Sequence, residues 1–139
     1  MAENYNLRIV SPDGNVLKDD VSFAVFPGEG LGELGVLPNH AHLIAALKPG
    51  VIRYTKDSTV KKMAISGGFV EIGNNAATVL AETAEPGDKI DVSRAQTALA
   101  RAEKRLANKT PEVDVKRAEL SLARAKARLQ AAGKGQDLH

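Results

Sequence analysis

Apolar and polar positions change their rhythm once along this 139-residue chain, near residue 86. Before that point the apolar residues come in short runs that nearly alternate with polar ones. Tyr5-Asn6-Leu7-Arg8-Ile9-Val10 is the clearest case, and alternation puts one side of an extended strand in a core and the other in water. Ser11-Pro12-Asp13-Gly14 then supplies a turn, with proline fixing φ and glycine accepting positive φ. Val16 and Leu17 follow. Asp19-Asp20 next precede a β-branched and aromatic strand at 21–26, closed by Pro27-Gly28. Further strands are expected at 33–37, 50–55, 60–66, 69–72 and 77–81. Pro38-Asn39, Lys48-Pro49-Gly50, Asp57-Ser58, Gly67-Gly68 and Gly73-Asn74-Asn75 separate them. Short strands with turn chemistry about every 8–12 residues predict an antiparallel sandwich or barrel. No long helical pattern interrupts them, which argues against a parallel sheet with helical crossovers.

After Pro86-Gly87 the period becomes helical. Val92, Ala95, Leu99, Ala102 and Leu106 recur at 3-4-3-4 spacing behind Asp91, a good N-cap whose carboxylate can accept backbone N–H bonds. Asn108-Lys109-Thr110-Pro111 stops this helix. A second is expected with Thr110 as cap, Pro111 in its first position, and Glu112 and Asp114 at its positive end. Val115, Ala118, Leu122, Ala125, Leu129 and Ala132 repeat the spacing, and residues 133–139 are expected to fray. A connection this short predicts an antiparallel hairpin folded about residues 110–112. That places Leu99 near Leu122 or Ala125, and Arg94 within a turn of Arg124 to Arg128. The predicted class is therefore α+β: an N-terminal antiparallel β-sandwich over residues 1–86 and a C-terminal antiparallel two-helix hairpin over 87–139. Burying Leu99, Leu106, Leu122 and Leu129 would contribute roughly 1.5–3 kcal/mol each. The alanines between them allow close approach but add little. Such a hairpin needs a partner surface or a ligand to stay in place, which suggests a conformational switch.

Charge divides the chain at about the same place. Residues 1–90 hold eight Lys/Arg against eleven Asp/Glu, whereas residues 91–139 hold eleven against six. All five aromatics (Tyr5, Phe23, Phe26, Tyr54 and Phe69) lie in the first part. The absence of cysteine excludes disulfides, zinc–thiolate sites and thiol nucleophiles. Three scattered histidines (His40, His42 and His139) offer no metal cluster and no nucleophile–base pair, so catalysis by this chain is not expected. No apolar run approaches the roughly 18 residues of a membrane span, Leu43 to Leu47 being the nearest, and no signal peptide is visible. A soluble protein in a reducing compartment fits. Gly28, Gly30, Gly32 and Gly35 lack the Gly-Lys-Ser/Thr ending of a phosphate loop and are expected to be loop and bulge residues.

Residues 32–41 (GELGVLPNHA) followed by Leu47-Lys48-Pro49-Gly50 resemble the signature of the epsilon subunits of bacterial-type F-type ATP synthases. Ser66-Gly67-Gly68-Phe69-Val70-Glu71 and Thr78-Val79-Leu80-Ala81 continue it. Ile90-Asp91-Val92-Ser93-Arg94-Ala95 matches the Ile/Leu-Asp-x-x-Arg-Ala motif of its nucleotide-binding members, and Lys116-Arg117-Ala118-Glu119-Leu120 also has a counterpart. The likeness spans residues 5 to about 130. One departure is His42, where many relatives carry proline, and it bears on the local loop conformation.

The resemblance implies a non-catalytic subunit whose β-sandwich packs on the gamma subunit and on the rotor ring of c subunits, with Glu33 and His40 facing that ring. It also implies helices that lie compact or extend along gamma, where they inhibit ATP hydrolysis, and ATP as a regulatory ligand of the compact form with no metal required. The implied nucleotide-binding set is Glu85, Ile90, Asp91, Arg94, Ala95, Arg101, Arg124 and Arg128. Guanidinium groups suit it because they offer forked donors to phosphate and stack on rings. The wider basic face (Lys104, Arg105, Lys109, Lys116, Arg117 and Lys126) would meet an acidic segment of the beta subunits in the extended state. The implied location is peripheral, on the cytoplasmic face of a bacterial membrane, held there only through the complex. Two rival classes remain. A basic nucleic-acid-binding module is opposed by the acidic first part, by the Asp/Glu mixed into the helices and by the lack of helical aromatics. A β-barrel hydrolase would have to turn over substrate unaided.

Overall fold

The computed structural model describes residues 3–108 and 114–133. Among them, β1 (Tyr5–Ser11), β2 (Gly14–Val21), β3 (Phe23–Gly28), β4 (Gly32–Val36), β5 (Leu43–Leu47), β6 (Gly50–Lys56), β7 (Thr59–Ile65), β8 (Gly68–Gly73), β9 (Ala76–Ala81) and β10 (Ala84–Pro86) come first. A 3-10 turn (Gly87–Lys89) leads into α1 (Val92–Ala107) and α2 (Val115–Ala131). The hydrogen-bonded order is β10-β7-β6-β3-β5-β8-β9-β1-β2, with β4 paired to β3. This is the predicted α+β arrangement, with one parallel pair: β1 runs alongside β9, from Asn6 beside Ala76 to Val10 beside Leu80. The remaining pairs are antiparallel.

Two tight connections follow from their residues. Asp57 and Ser58, and likewise Asn74 and Asn75, all have positive φ. That is the backbone of a two-residue hairpin turn whose twist matches the flanking strands. The predicted strand at 21–26 is divided at Ser22. Val21, Ala24 and Phe26 are buried while Phe23 is exposed, so the alternation slips by one residue there and the chain turns a corner. β5 appeared in the sequence only as an apolar run, and β10 gave no alternation.

The core holds Leu7, Ile9, Phe26, Ile52, Met63, Ile65, Val70 and Val79. Tyr5 donates its hydroxyl to the Val36 carbonyl at 2.8 Å, and burial pushes that hydroxyl's pKa well above the usual phenol range. Between β2 and β6, Lys56 Nζ meets Asp19 Oδ1 at 2.6 Å. This hydrogen bond holds the Asp19 carboxyl below the usual carboxylate range and raises Lys56.

Asp91 caps α1 as expected, its Oδ1 accepting from Arg94 N at 3.0 Å. The second helix begins later than predicted. Asp114, not Thr110, is its cap and accepts from Arg117 N at 3.0 Å. Thr110, Pro111, Glu112 and the expected fold point at 110–112 lie outside the described residues, as do residues 134–139. The seam between the helices also differs from expectation. Ala95, Ala102, Ala118 and Ala125 are buried there, whereas Leu99, Leu106 and Leu122 are only half-buried and Leu129 alone of the four leucines is enclosed. Alanine lets two helices approach closely, and a close seam has no room for leucine, which moves to its edges. The apolar stabilisation of the hairpin is correspondingly smaller than four buried leucines would provide.

α2 lies over the outward faces of β6 and β7, burying Ala127, Ala131 and, from the sheet, Ala64. Gly87 is needed at this joint. A Cβ there would overlap the Ala131 carbonyl oxygen and come within 3.3 Å of the Lys62 carbonyl oxygen.

Candidate functional site

Strand register sets one end of the site. Ala64 on β7 is flanked by Val51 on β6 and Glu85 on β10, so these three share the outward face that α2 covers. Glu85 therefore meets the helix. Its Oε1 accepts from Arg128 Nε at 2.7 Å, and both side chains remain partly exposed. Arg124, one turn earlier, lines the same hollow and donates to Ser121 Oγ at 3.2 Å. Ser66 and Thr83, which sequence reasoning missed, complete the wall. They are joined by Thr83 N donating to Ser66 Oγ at 2.9 Å. The hollow measures about 10 Å³, close to the least that holds one water. In this arrangement Glu85 and Arg128 satisfy each other. A phosphate would sit on the rim, or take Arg128 after the pair separates.

The structure thus gathers Glu85, Arg124 and Arg128. Asp91 is joined to Arg94 only through the helix cap. Arg94 and Arg101 are exposed on α1, seven residues and so two turns apart on one face, and neither lines the hollow. Ala95, 1% exposed, is a seam residue, and Ile90 is half-buried. A ligand reaching all of the predicted set would have to span from the β10 edge to the open face of α1.

Glu33 and His40 line separate hollows. Glu33 stands on β4 and pairs with Arg53 at 2.8 Å, so it is a strand residue with a partner. The His40 Nδ1 lies 2.8 Å from the Ala41 carbonyl oxygen. The His42 ring packs over Gly73, where a Cβ would come within 2.6 Å of its Nδ1. Of the predicted basic face, Lys104, Arg105, Lys116 and Arg117 are exposed, while Lys109 lies outside the described residues. Lys126 departs from expectation: it is half-buried between α2 and the sheet, because the helix turns that position inward. Across β5, β8, β9 and β1, Ala46, Phe69, Leu80 and Val10 form a cross-strand row, with Phe69 and Leu80 more than half exposed. Ile44, in the next row, is 71% exposed. Among the described residues no helix is long and apolar enough to cross a membrane.

The ATP synthase delta/epsilon chain beta-sandwich domain matches residues 4–87, and the long alpha-helix domain of the same family matches residues 88–133. This chain belongs to the ATP synthase delta/epsilon chain family. The ATP synthase epsilon chain of Carboxydothermus hydrogenoformans is 56% identical over 134 residues, covering 96% of this chain and 99% of that one. That of Desulfitobacterium hafniense strain Y51 is 57% identical over 109 residues, 78% of this chain and 82% of the relative. A chain of the Euglena gracilis mitochondrial ATP synthase, seen by cryo-EM with OSCP, F1 and the c-ring, superposes with a TM-score of 0.79. It is 23% identical, and the match covers 93% of this chain and 81% of that one, a likeness of fold. As a member of the delta/epsilon family, the chain is an epsilon-type, non-catalytic component of the central stalk.

Proposed function

We propose that this epsilon-type chain is a two-state coupling element, with its β unit anchored on the rotor and its hairpin released or held according to ATP. The observation that carries this reading is the Glu85–Arg128 ion pair, which ties the hairpin to the β unit across a joint whose buried side chains include the small Ala64, Ala127 and Ala131. A nucleotide engaging Arg124 and Arg128, with Ile90, Asp91, Arg94, Ala95 and Arg101 along the first helix, would add its own binding free energy to the compact form. At about 100 times its dissociation constant a ligand adds about 2.7 kcal/mol, enough to bias a weakly held hairpin. Without it, the exposed cations of both helices are free to meet an acidic segment of the beta subunits and obstruct rotation.

The exposed apolar row through Phe69 and Leu80 supports anchoring on a gamma-type chain, since a contiguous apolar stripe on a β face favours a protein partner over water. Glu33 and His40 would face the c-ring. The membrane association is then peripheral, at the cytoplasmic face, through the complex alone.

Calorimetry of the full chain with millimolar ATP and little magnesium tests the nucleotide. Saturable heat is expected for the wild type, and weaker binding in Arg124→Ala. A wild type that gives no heat overturns the ATP reading. The brake is tested separately by removing residues 90–139 from the assembled enzyme. ATPase activity should rise, and unchanged activity would refute inhibition.

A further inference from the structure

Between α2 and the outward faces of β6 and β7 runs a second, larger groove of about 420 Å³. Its size falls within the range of small-ligand pockets. Lys48, Arg53, Lys62 and Lys126 line it against one carboxylate, Glu33. Arg53 and Lys62 are direct partners across β6 and β7. Like charges placed opposite one another weaken a strand pair. Glu33 relieves Arg53 at 2.8 Å, but Lys48, Lys62 and Lys126 enter no ion pair among the described residues. Crowding these cations costs free energy in the compact form, and an anion between them would offset that cost. Val51 and Ala127 provide apolar walls against which a ligand can exclude water from the charges.

We propose that this groove binds a small polyphosphate-type anion. Lys62 from the sheet and Lys126 from α2 grip it from opposite sides, with Lys48 closing one end. Because the two units each supply a cation, the bound anion clamps the helix on the sheet. The site is distinct from the Glu85–Arg128 hollow, with no lining residue in common. The inference therefore stands apart from the nucleotide reading.

The test is titration of the full chain with inorganic tripolyphosphate, followed by backbone amide NMR. Saturable shifts are expected at Val51, Lys62 and Lys126. The double variant Lys62→Gln/Lys126→Gln should bind at least about tenfold more weakly, as loss of charge-assisted bonds implies. Lys61→Gln, at an exposed lysine outside the groove, should bind as the wild type does. Shifts that never saturate, shifts centred on Glu85 and Arg124, or undiminished binding by the double variant would each overturn the proposal. Competition by ATP in an Arg124→Ala background identifies the source. Displacement points to a nucleotide's triphosphate and no displacement to a free polyphosphate, and both outcomes support an anion site in the groove.

Discussion

Leu7, Ile9, Phe26 and Ile52 are fully enclosed in the β unit, whereas among its described residues the helical hairpin buries four seam alanines, two more on the sheet side of α2, and a single leucine, Leu129. Both regions are built from regular, well-capped elements, yet they hold together differently. The sheet's branched and aromatic side chains each bury a large apolar area. The alanine seam gains little area and depends on closeness, and the hold of α2 on the sheet depends on a partly exposed ion pair and on the fit of Gly87 beneath Ala131. Under the proposed two-state reading, stability concentrated in the β unit would let a ligand or partner decide the position of the hairpin.

Phe26→Ala tests this contrast with the largest expected effect. It should cost about 3–5 kcal/mol and bring down the whole chain in urea unfolding, because the hairpin has only the sheet to dock on. Equal loss of stability from trimming a seam residue would break the comparison.

Gly87→Ala should act on the joint alone. Its methyl group overlaps the Ala131 carbonyl oxygen, so docking of α2 should weaken by about 1–3 kcal/mol. Hydrogen exchange should quicken in α1 and α2 and stay slow in β8 and β9. Faster exchange throughout would show that the two regions are one cooperative unit.

The smallest effect concerns acid. Asp19 has a lowered pKa in the fold, so its pairing with Lys56 contributes stability above the unfolded carboxylate range and loses it as pH falls through the depressed value. The raised pKa of Lys56 keeps the pair intact until pH rises past the usual lysine range. Melting temperature should therefore fall below about pH 4 more steeply in the wild type than in Asp19→Asn. Parallel curves would remove this pair as a fastener of β2 to β6.

How much could be seen in advance varied from element to element. β1 was legible because Leu7 and Ile9 alternate with Asn6 and Arg8, and the hairpin turns because Asp57-Ser58 and Asn74-Asn75 accept positive φ. β5 was not, since its outward residue Ile44 is apolar and erases the alternation. The Asp91 cap was evident from its position before Val92. The Asp114 cap was hidden behind Thr110-Pro111, which offers an equally good start. Of the predicted ligand set, the structure brings Glu85 to Arg128, while Ala95 serves the helix seam. The groove of lysines left no mark in the sequence, because Lys62 and Lys126 are far apart along the chain and meet only through docking.

By itself the order of residues determined the local conformations: strands where polarity alternates, helices where it recurs every three to four positions, and caps where an aspartate precedes them. These are decided within a few residues by backbone sterics and nearby hydrogen bonds. Tertiary structure alone decided which outward faces became inward ones. Ala64 and Glu85 would both face water on an isolated sheet, and they acquire partners only because α2 lies across them. Docking of that kind depends on shape and charge brought together from distant parts of the chain, and no local pattern records it.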